Sequence, residues 1–242
     1  MKYKITIEYE GTCFIGWQRQ VAGLSVQESI EGAIYKFSQE QVTLYGSSRT
    51  DAGVHALGQV AHFSIKKAFT CYQVQNAINY HLKPLPVVII KVEVVDDDFC
   101  ARFLAIKRHY QYRIINRRAP LVIDQFRAWV AFRALDVKKM QLAGNYLLGK
   151  HNFNSFRSTE CQAKSPIRTI DKLEIVHNDT AIDIYISAPS FLHNQVRIIV
   201  GTLKEIGEGK QVDIKKILAD QDRRSAGVTA PPYGLYLLKV DY

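Results

Sequence analysis

Between residues 1 and 95 the apolar side chains change their spacing in an order that leaves few folds open. Tyr3, Ile5, Ile7 and Tyr9 alternate with Lys4, Thr6 and Glu8, the two-residue period of a half-buried strand. Ser25 with Glu28 forms a capping-box pattern. Val26, Ile30, Ala33, Ile34 and Phe37 then recur as the apolar stripe of a helix. Residues 42–46 and 58–65 read as two strands. Thr70 with Gln73 repeats the capping box ahead of Val74, Ala77 and Ile78, and Pro84 and Pro86 end that helix. Val87 to Val95 is a nearly continuous β-branched run, which predicts a buried strand. The result is β-α-β-β-α-β, the ferredoxin-like order.

The acidic triplet Asp96-Asp97-Asp98 breaks the pattern, and the second half repeats it. His109 to Ile115 reads as a strand. Asp136 caps a helix with Met140, Ala143 and Leu147 inward, and Gly149 is placed as the glycine just past its end. Strands follow at 168–177 and 181–187, then a helix over 193–206, a short helix over 213–219 and a strand from Leu235 to Val240. The expected class is α+β, with two ferredoxin-like βαββαβ halves. They divide as 1–105 and 106–242, with antiparallel sheets around a central basic cleft.

A formal charge of +9 over 242 residues favours a polyanionic partner, nucleic acid or an anionic surface. Small basic clusters at Lys66-Lys67, Arg117-Arg118 and Arg223-Arg224 do not amount to a disordered basic tail. No apolar run approaches the roughly 20 residues that span a bilayer, so no membrane role is expected. The N-terminus enters a strand at once and does not read as a signal peptide. Cys13, Cys71, Cys100 and Cys161 are far apart and form no Cys-x-x-Cys, against a zinc site or disulfide framework and for a reducing cytoplasm. The histidines show no metal-ligand spacing. P-loop and dinucleotide-binding glycine motifs are missing too, so neither a metal nor a nucleotide cofactor has a visible cradle.

Three stretches remain that carry chemistry. Gly46 to Ala56 (Gly-Ser-Ser-Arg-Thr-Asp-Ala-Gly-Val-His-Ala) is loop-forming, and it sets Asp51 two residues from the cation of Arg49. Asp51 is either a functional carboxylate or an ordinary turn residue bonding its own backbone. Arg102-Phe103, Arg108-His109-Tyr110 and Tyr112-Arg113 interleave cations with rings, as phosphate contacts and base stacking require. Tyr112 reads as a core residue; Tyr110 reads equally as core or as a stacking ring. Arg197, on the first turns of an apolar helix after Ser190–Val196, needs a partner such as Asp51 or an outlet to solvent.

Arg49–Ala56, Phe99–Ala105 with Arg108-His109-Tyr110, Gly149–Arg157, Phe191–Gly201 and Ala226–Leu237 resemble, in order, segments of the TruA family of tRNA pseudouridine synthases. Phe14–Gln20 is similar to that family's early Gly-Trp-Gln element. The resemblance implies that Asp51 is the nucleophilic aspartate and that Tyr110 packs against the target uracil. It implies that Arg197 pairs with the aspartate and that Arg49 occupies the space left by the extruded base. It implies an isomerase that converts uridine to pseudouridine at positions 38, 39 and 40 of the tRNA anticodon arm. That enzyme is expected to use no cofactor and to work as a cytoplasmic homodimer. Cys100, Leu104 and Asn152 depart from the family pattern; Asn152 replaces a common Asp and loses its charge.

Whether Asp51 attacks C1′, adds to uracil C6 or assists elimination stays open. The rival reading is a tandem RNA-binding protein, since the same topology builds RNA-recognition motifs. Neither half, however, carries their Lys/Arg-Gly-Phe-Gly-Phe signature. A second rival is an inactive, tRNA-binding paralogue, against which the intact Asp51, Tyr110 and Arg197 set speaks.

Overall fold

The computed structural model describes residues 1–242 and divides them into two units, Met1–Ile106 with Leu237–Tyr242, and Lys107–Tyr236. The class is mixed α/β, with mostly antiparallel strand pairing and five α-helices.

The first unit runs β1 (Lys2–Tyr9), α1 (Val26–Ser38), β2 (Tyr45–Gly46), β3 (His55–Ser64), α2 (Cys71–Leu82) and β4 (Val87–Val95). Strand β1 is central and pairs antiparallel with β3 on one side and β4 on the other; β2 pairs antiparallel with β3. Alternation sends Tyr3, Ile5 and Ile7 into the core, fully buried, and leaves Lys2, Lys4 and Thr6 on the other face. Val26, Ile30, Ala33 and Ile34 of α1, with Val74, Ile78 and Leu82 of α2, complete that core. Each large aliphatic side chain buried there contributes about 1.5–3 kcal/mol. Both helices start where the capping residues stand. The Ser25 hydroxyl accepts from the Glu28 N–H, and at α2 Thr70 and Gln73 exchange both bonds of a capping box.

Two strands differ from expectation. The run 42–46 contributes only Tyr45–Gly46 to the sheet; the Leu44 N–H, on the side turned away from β3, donates to the Glu31 carboxylate at 2.8 Å. Strand β4 is not buried throughout. It lies at the edge of the strand order, and Ile90 and Val94 face outward, so its β-branched composition reports strand propensity rather than burial.

The second unit runs β5 (Lys107–Asn116), β6 (Trp129–Ala131), α3 (Val137–Asn145), β7 (Gly149–Asn152), β8 (Ile167–Ile170), β9 (Lys172–Asn178), β10 (Ala181–Ala188), α4 (Gln195–Gly207) and α5 (Ile214–Asp220). Strand β10 pairs antiparallel with both β5 and β9, while β6 adds to β5 in parallel. Ile182, Ile184 and Ile186 are buried on one face of β10, and α4 buries Val196, Ile199, Val200 and Leu203. The expected strand 168–177 is broken at Asp171, whose N–H donates to Ser187. Its first part, β8, pairs with β7 instead. Helix α3 ends at Asn145, so Gly149 does not close it; that glycine opens β7 with a φ of +90°.

The last strand, β11 (Leu235–Asp241), belongs to the first unit from Leu237 onward. It lies beside β3, and the Ile106 N–H donates to Asp241 at 2.8 Å.

Candidate active site

Asp51 sits where the chain turns between β2 and β3. Its carbonyl accepts from the Val54 N–H at 3.2 Å, and Gly53, with a φ of +77°, supplies the left-handed residue that a type II turn needs. The turn is gripped from one side by the segment after β1. Gly16 forms an antiparallel bridge with Asp51, and the Trp17 N–H donates to the Thr50 carbonyl at 3.1 Å. A side chain on Gly16 would collide with that carbonyl, since a Cβ there would stand 2.7 Å from its oxygen.

From below, the Tyr9 hydroxyl shares a buried 2.8 Å hydrogen bond with the Thr50 hydroxyl. The flanks are fixed as well. Ser47 donates to the Gln59 side-chain oxygen at 2.7 Å, and the Gln59 amide donates to the Ser48 carbonyl at 2.8 Å. His55 is buried, and its Nδ1 accepts from the Gly11 N–H at 2.9 Å. A loop of small residues that would be floppy in isolation is thereby held by backbone and side chains on both sides. Asp51 itself is half-buried, and Arg49 is exposed.

Tyr110 and Arg197 lie in the second unit. Tyr110, 8% exposed on β5, meets Phe191 edge-on at 5.3 Å. Two residues along the same face, Tyr112 is fully buried and donates to the Pro231 carbonyl at 2.8 Å. Burial pushes the Tyr112 phenol well above its ordinary pKa, so it is a neutral core group, as the sequence reads it.

Arg197 is half-buried on the first turn of α4. Its Nε donates to the Ala230 carbonyl and one terminal nitrogen to the Asn194 side chain, both at 2.7 Å. Asn194 adopts a left-handed φ of 61° as the residue before the helix. Opposite it, the 226–230 segment lies so close to α4 that a Cβ on Gly201 would stand 1.8 Å from the Val228 oxygen. The guanidinium is thus aimed by two fixed acceptors. Asn152 uses both ends of its amide locally. It accepts from the Asn154 N–H at 3.0 Å and donates to Gln221 at 2.9 Å, a job that an aspartate's acceptor-only side chain could not do in full.

The structure thus keeps Asp51 with Arg49 on one loop of the first unit, and Tyr110 with Arg197 in the second. Sequence reasoning missed Tyr9, Thr50 and Gly16 as the fixtures of the Asp51 turn. The available signal was the Gly11–Gln20 segment, too rich in glycine and aromatics for a plain turn. No group of three His, Cys, Asp or Glu side chains is placed to hold a metal ion. All four cysteines are free thiols. No helix is long and apolar enough to cross a membrane.

Comparison with known proteins bears on both units. A family described as tRNA pseudouridine synthase matches residues 5–103 and 143–242. A tRNA pseudouridine synthase A of Ehrlichia canis is 59% identical over 245 aligned residues, covering all of both chains. Proteins of the same description from Wolbachia pipientis wMel and Ehrlichia chaffeensis are each 57% identical over the full length of both chains. Among solved structures, a chain from a crystal structure of a Cbf5-Nop10-Gar1 complex aligns over 98% of this chain and 49% of its own. That alignment has 10% identity and a TM-score of 0.40, too slight a likeness to bear on the fold. On full-length identity and on a match across most of its sequence, the chain belongs to the tRNA pseudouridine synthase family.

Proposed function

We propose that this isomerase converts uridine to pseudouridine at positions 38, 39 and 40 of the tRNA anticodon stem-loop, with Asp51 as its nucleophile. The observation that carries the reading is the Asp51 turn. Asp51, in the loop that resembles the family's own, has its backbone bridged to Gly16 and locked through Thr50 to Trp17 and Tyr9. A catalytic carboxylate must meet its target in one geometry, and that fixing supplies it.

The reaction breaks the N1–C1′ bond, turns the uracil and joins C5 to C1′. N1 gains a proton and C5 gives one up, so atoms and electrons balance without a co-reactant. The base must first leave the stack, at a cost of a few kcal/mol. Arg49, exposed beside the turn, is assigned to the space the base vacates. Tyr110 is assigned to packing on the uracil, and Arg197 to holding the reacting groups in place. Arginine contacts to phosphate and ring stacking offset the unstacking cost.

Each unit is read as one ferredoxin-like half. The supports are the order β4-β1-β3 with β2 on β3, and the antiparallel set β5-β10-β9. The protein is further read as a cytoplasmic homodimer. Its tRNA substrate and its free thiols support the compartment; the family resemblance supports the dimer.

Tritium release from C5-labelled uridine in tRNA tests the assignment. Wild type is expected to release label, and Asp51→Ala to release none while binding tRNA within several-fold of wild type. Normal turnover by Asp51→Ala would remove Asp51 from the mechanism.

A further inference from the structure

The edge of the first unit opens where β2 stops. Tyr45 pairs with His62 and Gly46 with Ala61, and the same register would set Thr43 against Ser64. The ladder does not continue that far; it ends at Tyr45, and the Leu44 N–H, on the side away from β3, is held by Glu31. Between 41–45 and 62–64 lies a pocket of about 320 Å³, bordered by Lys2, Thr43, Tyr45, His62 and Ser64. That volume is at the small end of ligand-binding pockets, about 300–1,000 Å³.

Its walls suit one kind of occupant. Tyr45 is 56% exposed and lies nearly parallel to His62, ring centroids 5.2 Å apart at 19°. His62 is braced from below. Phe99 meets it edge-on at 5.8 Å, and its Nδ1 accepts from the Ala101 N–H at 3.1 Å. The histidine is therefore neutral and Tyr45 rests on a rigid ring, with its outer face open to a third flat group. At the rim, the Lys2 ammonium donates to the Phe99 carbonyl at 3.1 Å and to the Asp97 backbone carbonyl. Two of its three hydrogens are used, and one remains for an anion. Serine and threonine hydroxyls and the unladdered backbone of 41–43 supply donors and acceptors at the edge. A stacking ring, a cation and edge-reading polar groups together match an unpaired nucleotide.

We propose that this pocket holds one unpaired nucleotide of the RNA substrate, its base stacked on Tyr45 and its phosphate turned toward Lys2. The proposal rests on the tRNA reading given above and adds a binding subsite to it. None of its lining residues falls within the Gly46–Ala56 stretch that carries Asp51, so it contributes affinity and not chemistry.

Tyr45→Ala, Tyr45→Phe and Lys2→Gln, each with an unmodified tRNA transcript, test it. Loss of one stacked base weakens binding by about five- to a hundredfold. Tyr45→Ala is expected to raise the tRNA Kd by that factor with kcat at saturating tRNA within twofold. Tyr45→Phe is expected to restore wild-type affinity. Lys2→Gln is expected to lower the slope of log Kd against log salt by about one. Irradiated 4-thiouridine tRNA is expected to crosslink to the peptide containing Tyr45.

A Tyr45→Ala protein that binds tRNA as wild type does would overturn the proposal, as would equal losses in Tyr45→Ala and Tyr45→Phe. A wild-type protein that forms no pseudouridine in tRNA would instead count against the parent reading. The two failures are read from different lanes of the same experiment.

Discussion

Replacing Gly16 with alanine puts a methyl group against the back of the Asp51 turn without touching any side chain assigned to chemistry. The new Cβ would stand 2.7 Å from the Thr50 oxygen and 3.2 Å from both the Ala52 nitrogen and the Asp51 carbonyl carbon, where ordinary contact begins at 3.4 Å. The turn must therefore withdraw by about 0.7 Å, the difference between 3.4 and 2.7. The φ of +113° adds backbone strain of about 1–3 kcal/mol for any residue with a side chain.

A misplacement of about 1 Å can cost a hundredfold in rate, so this shift is expected to lower kcat by about ten- to thirtyfold. A domain with about 5–15 kcal/mol of stability stays folded under that strain, so the loss reports geometry and not unfolding. Tritium release at saturating tRNA gives kcat, filter binding gives Kd, and urea denaturation gives the stability change. Gly16→Ala with kcat within twofold of wild type would refute the idea that the Gly16 bridge positions the carboxylate.

Tyr9→Phe strips the partner from the buried Thr50 hydroxyl and is expected to cost about 1–3 kcal/mol, read as a lower urea midpoint at an unchanged m-value. Binding of tRNA is expected to weaken by about a thousandfold between 50 and 200 mM salt if about six phosphates are neutralised; a flat response would remove phosphate contacts as the main source of affinity. His62 has its pKa lowered first by burial and then by the charge of Lys2. The unfolded chain therefore takes up a proton near pH 6.5 that the folded protein resists. Stability is full above that value and declines as pH falls through 6.5 toward the lowered folded pKa. His62→Gln is expected to flatten that decline in urea midpoints measured from pH 7.5 to 5.5, and an unchanged slope would exclude His62 as its source.

Helices and central strands were legible because each buries one side, and a one-sided burial imprints its period on the sequence. Ser25 and Thr70 marked their helix starts to the residue. The failures are of one kind: where a strand's pairing stops is set by partners distant in sequence. The pairing of β2 with β3 ends at Tyr45, and the run 168–177 divides at Asp171 between a partner in β7 and one in β10. No local pattern announces such an end. At the candidate site, loop composition marked Gly46 to Ala56, and the family resemblance singled out Asp51 and Arg49 within it. Thr50 and Tyr9 did not stand out, since a threonine in a loop and a tyrosine in a strand are common, and only the fold brings their hydroxyls together.

The return of residues 237–242 to the first unit bears on how such a chain is made. Strand β11 covers an edge of β3, and Tyr242 donates to the Ala101 carbonyl at 2.7 Å. A ribosome delivers residues 1–106 well before residues 237–242, so that portion keeps an open strand edge until the later segment has been made. Residues 107–236 are contiguous and are complete sooner after their own synthesis. The unit carrying Asp51 is therefore begun first and finished last, and its exposed edge is the place where a stalled or truncated chain would invite a chaperone or a neighbouring strand.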